Sequence, residues 1–156
     1  MSAAAAFTAP YAAEIEASLE RLGEHGDPAP AVYARLFQRH PEFEAHFWRD
    51  SDGAVRGEML ARTLLALLDY IGPRAYADHL FATEMMTHEG YDVPRGVFIT
   101  FLDAIRDTAR DQLADEWTED MDRAWTQMLS ELYAVTGVEP FNGCQTLRAT
   151  VPRAVR

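Results

Sequence analysis

The chain has 156 residues and a formal charge of −11, with 48% hydrophobic and 25% charged residues, which suits one domain that buries roughly two thirds of its unfolded surface. So acidic a chain is excluded as a nucleic-acid binder, because that binding rests on cations displacing counterions from phosphates, and anionic membrane surfaces are disfavoured for the same reason. No apolar run approaches the ~20 residues that cross a bilayer, and one cysteine, Cys144, excludes an internal disulfide and any cysteine-cluster metal site.

The Ala3 to Ala6 run is too short for a signal peptide and lacks a positive leader, so the expected location is the cytoplasm. Residues 1–9 read as an N-terminal extension, 10–138 as the domain and 139–156 as a tail. That tail carries Arg148, Arg153 and Arg156 with no carboxylate after Glu139, a different character from the acidic body.

Periodicity is helical throughout, and no segment alternates apolar and polar residues as a half-buried strand requires. Pro10 opens a first helix through Ile15, Leu19 and Leu22, and His25-Gly26-Asp27-Pro28 closes it. A second runs from about Pro30 to Arg39. Pro41 blocks its continuation and starts a short turn through Phe47, and Trp48 to Gly53 form a polar connector. The next helix carries Leu60, Leu64, Leu67 and Ile71 as a stripe, with Arg56 one turn ahead of Leu60, and Gly72-Pro73 ends it. From Pro73 a helix leads through Tyr76, Leu80 and Phe81 to His88, with Gly90 and Pro94 marking the corner beyond. Two long helices follow, one striped by Val97, Phe98, Phe101 and Ile105, the other by Trp117, Met121, Trp125, Met128 and Leu132.

Four segments also carry a family pattern. Val32 to Phe47 combines a tyrosine, a helix-ending proline and an aromatic pair, which resembles the B and C helices of globins. Arg56 to Leu60, followed by Ala61 to Ile71, looks like a globin E helix. His88 ends a helix just before a glycine break, and Phe98 to Leu102 and Arg123 to Leu129 are similar to the G and H helices. In order and spacing, from about Tyr11 to about Val138, the chain resembles single-domain bacterial haemoglobins and the globin domain of flavohaemoglobins. The resemblance implies an all-α globin fold of about seven to eight helices packed obliquely around a haem pocket. Periodicity alone leaves a four-helix bundle open.

By the resemblance, the cofactor is haem b and His88 is its proximal iron ligand, since iron needs a neutral nitrogen held at a fixed angle. The rivals are His25 in a turn, His40 and His46 in the proline corner, and His79 earlier on the His88 helix. Tyr33 matches the tyrosine that donates a hydrogen bond to the ligand on the open side of the haem. Leu60 walls the pocket. Arg56 takes the distal position where relatives carry histidine or glutamine, and it is expected to swing between solvent, a haem propionate and the pocket mouth. Phe47 stacks against the porphyrin, positioned by Pro41.

Phe98 departs from the flavohaemoglobin pattern, where a tyrosine helps a carboxylate polarise the proximal histidine. Without it, peroxidase-like O–O cleavage is disfavoured, with Glu84, one turn before His88, as a candidate substitute. The implied function is reversible binding of O2, and of NO and CO, for transport, storage or sensing. Two other readings stay open: a nitric oxide dioxygenase fed by a separate reductase, and a haem-free globin-like signalling module. The last two helices could also bury their faces across a homodimer.

Overall fold

A computed structural model of the chain describes residues 6–137; Cys144 and the expected tail over 139–156 lie outside the described residues. Helix α1 spans Ala12–Glu24, α2 Ala29–Arg39, α3 Ala54–Ile71, α4 Ala77–Glu89, α5 Arg95–Leu113 and α6 Glu119–Thr136. Short 3-10 helices cover Pro41–Phe47 and Ala114–Glu116, and no strand occurs among the described residues. The all-α expectation therefore stands, with eight helical segments in the described part. None of these helices is long and apolar enough to cross a membrane.

Helix α5 is the hub, packed against α1, α2, α4 and α6, while α3 and α4 lie against each other. Of the expected stripes, Ile15, Leu67, Ile71, Ile105, Trp125 and Met128 are buried in one cluster together with Val32 and Ile99, while Leu22 and Met121 belong to a second, smaller one. Each such side chain stabilises the fold by roughly 1.5–3 kcal/mol relative to exposure. One polar contact sits inside the cluster. Trp125 Nε1 donates to Ser18 Oγ at 2.8 Å, and that hydroxyl donates to the Ile15 carbonyl at 2.7 Å, so no donor is left unpaired.

Helix ends are set by particular side chains. Thr118 caps α6 by accepting from the Met121 N–H at 3.1 Å. Trp117 therefore stands just before that helix instead of on its stripe, its indole donating to Asp122 Oδ1 at 3.2 Å. Helix α4 begins at Ala77, four residues after Pro73, because Asp69 at the end of α3 takes over the start. Its carboxylate accepts the N–H groups of Ala75, Tyr76 and Ala77 at 3.1, 2.9 and 2.8 Å. Burial alone would raise the Asp69 pKa; these three donors outweigh it and hold the carboxyl below its ordinary range. The helix that bears His88 is thus hung from α3 by one carboxylate.

A second polar joint ties α2 to α5. Arg39 and Arg106 both donate to Asp107, at 2.6 and 2.9 Å, and Arg35 pairs with Asp111. Burial pushes the Asp107 pKa up, but the two guanidiniums outweigh burial and depress it. These contacts fix α2, which carries Tyr33, against the hub.

Candidate functional site

A cavity of about 560 Å³ lies between α2, the Pro41–Phe47 segment, α3, α4 and α5, within the range of sites that take cofactor-sized ligands. Its lining is mostly aromatic and aliphatic. Of the residues singled out from the sequence, His88, Tyr33, Phe47 and Phe98 line it together; Arg56 and Leu60 do not.

His88 sits in the last turn of α4, half-buried. Its Nδ1 lies 2.7 Å from the Glu84 carbonyl, one turn back on the same helix. A carbonyl only accepts, so Nδ1 is the donor, and in the neutral imidazole that tautomer leaves the Nε2 lone pair free. The helix end is itself tied down, because the His88 carbonyl accepts the N–H groups of Tyr91 at 2.9 Å and Val93 at 3.0 Å. The Phe98 ring from α5 meets the imidazole edge to face at 5.0 Å, which limits its rotation without offering a hydrogen bond. The result is an oriented ring whose Nε2, in the neutral imidazole, is a nitrogen donor of the kind that a metal takes as ligand.

On α2, Tyr33 is 2% exposed and its hydroxyl has no hydrogen-bond partner among the described residues. An unmet buried donor typically costs about 1–3 kcal/mol, so an orphaned phenol at a cavity wall suits a site where a ligand accepts from it. Burial pushes the phenol pKa up, partly offset by the Arg56 charge and reinforced by Asp50, so the group keeps its proton and remains a donor. Its ring packs with Phe37, Phe47 and Phe101 at centroid distances of 5.8, 5.5 and 5.2 Å. That aromatic nest leaves little freedom for the hydroxyl to turn away.

The expected wall on α3 is displaced by one residue. Val55, Met59 and Thr63 line the cavity, while Leu60 is 3% exposed and belongs to the core cluster with Leu67 and Ile71. Helix α3 has two apolar faces, and the more regular leucine stripe is the one that serves the core. Arg56 is likewise turned away, engaged with Asp50 by three contacts. Its backbone N–H and Nε donate to Asp50 Oδ2 at 3.0 and 2.9 Å, and Nη2 donates to the Asp50 carbonyl at 2.8 Å. Asp50 also accepts the Val55 N–H at 2.9 Å. Burial alone would raise the Asp50 pKa; those donors and the Arg56 charge outweigh it and lower it. Gly53, at φ +75°, makes the turn that brings Asp50 back over the helix start. Instead of swinging between solvent and pocket, Arg56 is a clasp at the start of α3.

Other lining residues were not anticipated as a group. His46, placed in the proline corner, borders the cavity on the exposed Pro41–Phe47 segment, its ring 5.5 Å from that of Phe43. Arg49, Arg62 and Glu84 also line it. The spacing 55, 59, 63 and 66 was visible in the sequence, but valine, methionine, threonine and alanine make a weaker stripe than leucines do.

Among the described residues, no three His, Cys, Asp or Glu side chains gather to hold a bare metal ion. His88 offers a single nitrogen, the number that a porphyrin-held iron takes from the protein on one side. A freed imidazole nitrogen, an orphaned phenol and an aromatic lining are a donor set that fits haem. Comparison with curated proteins and with solved structures returned no match. The Globin family model matches residues 30–136, from the start of α2 to the end of α6, and the chain belongs to the globin family.

Proposed function

We propose that this globin is a haem b protein that reversibly binds O2, and NO and CO, for transport, storage or sensing, with His88 as proximal iron ligand and Tyr33 as distal hydrogen-bond donor. Globins in general bind haem and oxygen. The observation that carries the reading for these residues is the His88 Nδ1 contact with the Glu84 carbonyl at 2.7 Å, which spends one ring nitrogen and frees the other. The unpartnered Tyr33 hydroxyl in the same cavity supports it.

When bound, haem supplies the reversible coordination of a diatomic gas that no amino-acid side chain provides. The chain supplies the rest. His88, its ring oriented by the Glu84 carbonyl and the Phe98 ring, would hold the group. Phe47 and Phe98, which line the cavity, would give a porphyrin apolar contact and help to exclude water. Tyr33 would donate its O–H to the partly negative end of a gas held in the cavity, favouring O2 over the less polar CO. Arg56 and Leu60 act from behind the wall, one holding the start of α3 and the other anchoring it in the core, so that Val55 and Met59 face the cavity.

Titration of the purified protein with hemin, followed by visible spectra of the ferric, ferrous and CO-bound forms, tests the proposal. Wild type is expected to take up one haem per chain with a histidine-ligated ferrous-CO spectrum, and His88→Ala to lose that signature. A His88→Ala protein with unchanged colour and gas affinity would remove His88 from the reading, and a wild type that takes up no hemin would remove the haem.

A further inference from the structure

Glu84 faces His88 twice. Its carbonyl accepts from Nδ1, and its carboxylate Oε2 lies 3.8 Å from the same nitrogen. The other carboxylate oxygen, Oε1, is 3.5 Å from Nη2 of Arg62, which comes from the neighbouring helix α3. Both residues line the cavity and Glu84 is half-buried. One carboxylate thus stands between a guanidinium on α3 and the imidazole on α4.

Resting on the assignment of His88 as the haem ligand, we propose that Glu84 is a positioning residue that sets the electron-donating strength of His88, and that Arg62 attenuates it. The physical argument is short. A negative charge beside the Nδ1 proton draws that proton outward and leaves more electron density on Nε2, the lever by which groups beyond the ligand tune a metal. A cation paired to the same carboxylate takes up part of that charge. Phe98 fills the neighbouring position on α5 with a ring that accepts no hydrogen bond, so the polarising group comes from within α4 itself. The Arg62–Glu84 pair also makes the donor strength answer to the spacing between α3 and α4, because the pair joins these two helices.

The effects of the two residues have opposite signs, and that makes the idea testable. Full-length wild type, Glu84→Gln, Arg62→Gln and the double variant are loaded with hemin, checked for fold by far-ultraviolet circular dichroism, and read by two methods. These are the iron–histidine stretching frequency of the ferrous form in resonance Raman, and the ferric/ferrous midpoint potential. Glu84→Gln is expected to lower the frequency and move the midpoint positive; Arg62→Gln is expected to raise the frequency and move the midpoint negative. In the Glu84→Gln background the Arg62 replacement should move neither. A stretch unmoved by Glu84→Gln overturns the inference even if the potential shifts, since a potential alone answers to any nearby charge. An Arg62→Gln effect that persists undiminished in the double variant also overturns it. If wild type shows no iron–histidine band, the haem assignment itself fails; if wild type shows the band and the variants leave it in place, only the present inference does.

Discussion

Asp50 and Arg56 hold each other across the start of α3, with the guanidinium donating to both the side chain and the carbonyl of the aspartate while the aspartate accepts the N–H groups of Val55 and Arg56. The clasp fixes the rotation of α3 at the cavity mouth, where Val55 is 54% exposed and stands one residue from the clasp. Replacing Asp50 by Asn removes the charge that organises these donors and loosens the first turn of α3. In the hemin-loaded protein, Asp50→Asn is expected to speed CO association about threefold or more, a barrier change of ~0.7 kcal/mol. Flash photolysis reads that rate, and an unchanged rate would show that the mouth is not governed by the clasp.

The register of α3 is tested by neighbours. Leu60→Ala opens a hole in the core and should cost about 2–5 kcal/mol in urea unfolding, with little change in gas kinetics. Met59→Ala faces the cavity and should cost no more than about 1 kcal/mol while altering the CO association rate. The opposite pattern would place Leu60, not Met59, on the cavity wall.

Tyr33→Phe separates folding from binding. In the protein without haem the Tyr33 hydroxyl meets no protein acceptor among the described residues, so its removal should change stability by no more than ~1 kcal/mol. In the haem-loaded protein the same change should speed O2 dissociation about tenfold, the worth of one lost hydrogen bond of ~1.4 kcal/mol. Chemical denaturation and stopped-flow O2 release give the two numbers.

Acid should unhang α4. The Asp69 carboxyl has a folded pKa below its unfolded one, because burial, which would raise it, is outweighed by three N–H donors. A depressed carboxyl stabilises the fold at pH values above the unfolded pKa, near 4, and that stability is lost as pH falls through the lower folded value. Melting temperature is therefore expected to drop below about pH 4. Asp69→Asn should melt lower at neutral pH and show a shallower acid decline. Parallel curves for the two proteins would assign the acid sensitivity to Asp50 or Asp107, whose carboxyls are depressed in the same direction.

Local signals were legible where one residue decides the outcome. Pro41 ended α2 by lacking an N–H, Gly90 marked the end of the His88 helix, and the 3.6-residue stripes of Ile15, Leu67, Ile105 and Trp125 identified the core. The start of α4 was misplaced to Pro73 because the real cap, Asp69, reaches it from the preceding helix, seven or eight residues upstream of Tyr76 and Ala77. The cavity face of α3 was misassigned for a related reason. Two apolar faces on one helix produce overlapping periodicities, and composition favours the one richer in leucine.

The chain by itself determined an all-helical, acidic domain, since helix periodicity and proline stops are properties of neighbouring residues, and its resemblance to globins singled out a short set of candidate haem-site side chains. Only the folded arrangement decided which nitrogen of His88 is free, that Tyr33 has no partner among the described residues, that Arg56 is spent on Asp50, and that Glu84 stands between Arg62 and His88. Each of these is a contact or a missing contact whose geometry comes from how helices rotate and pack, and nothing in the order of residues along a single helix fixes that rotation.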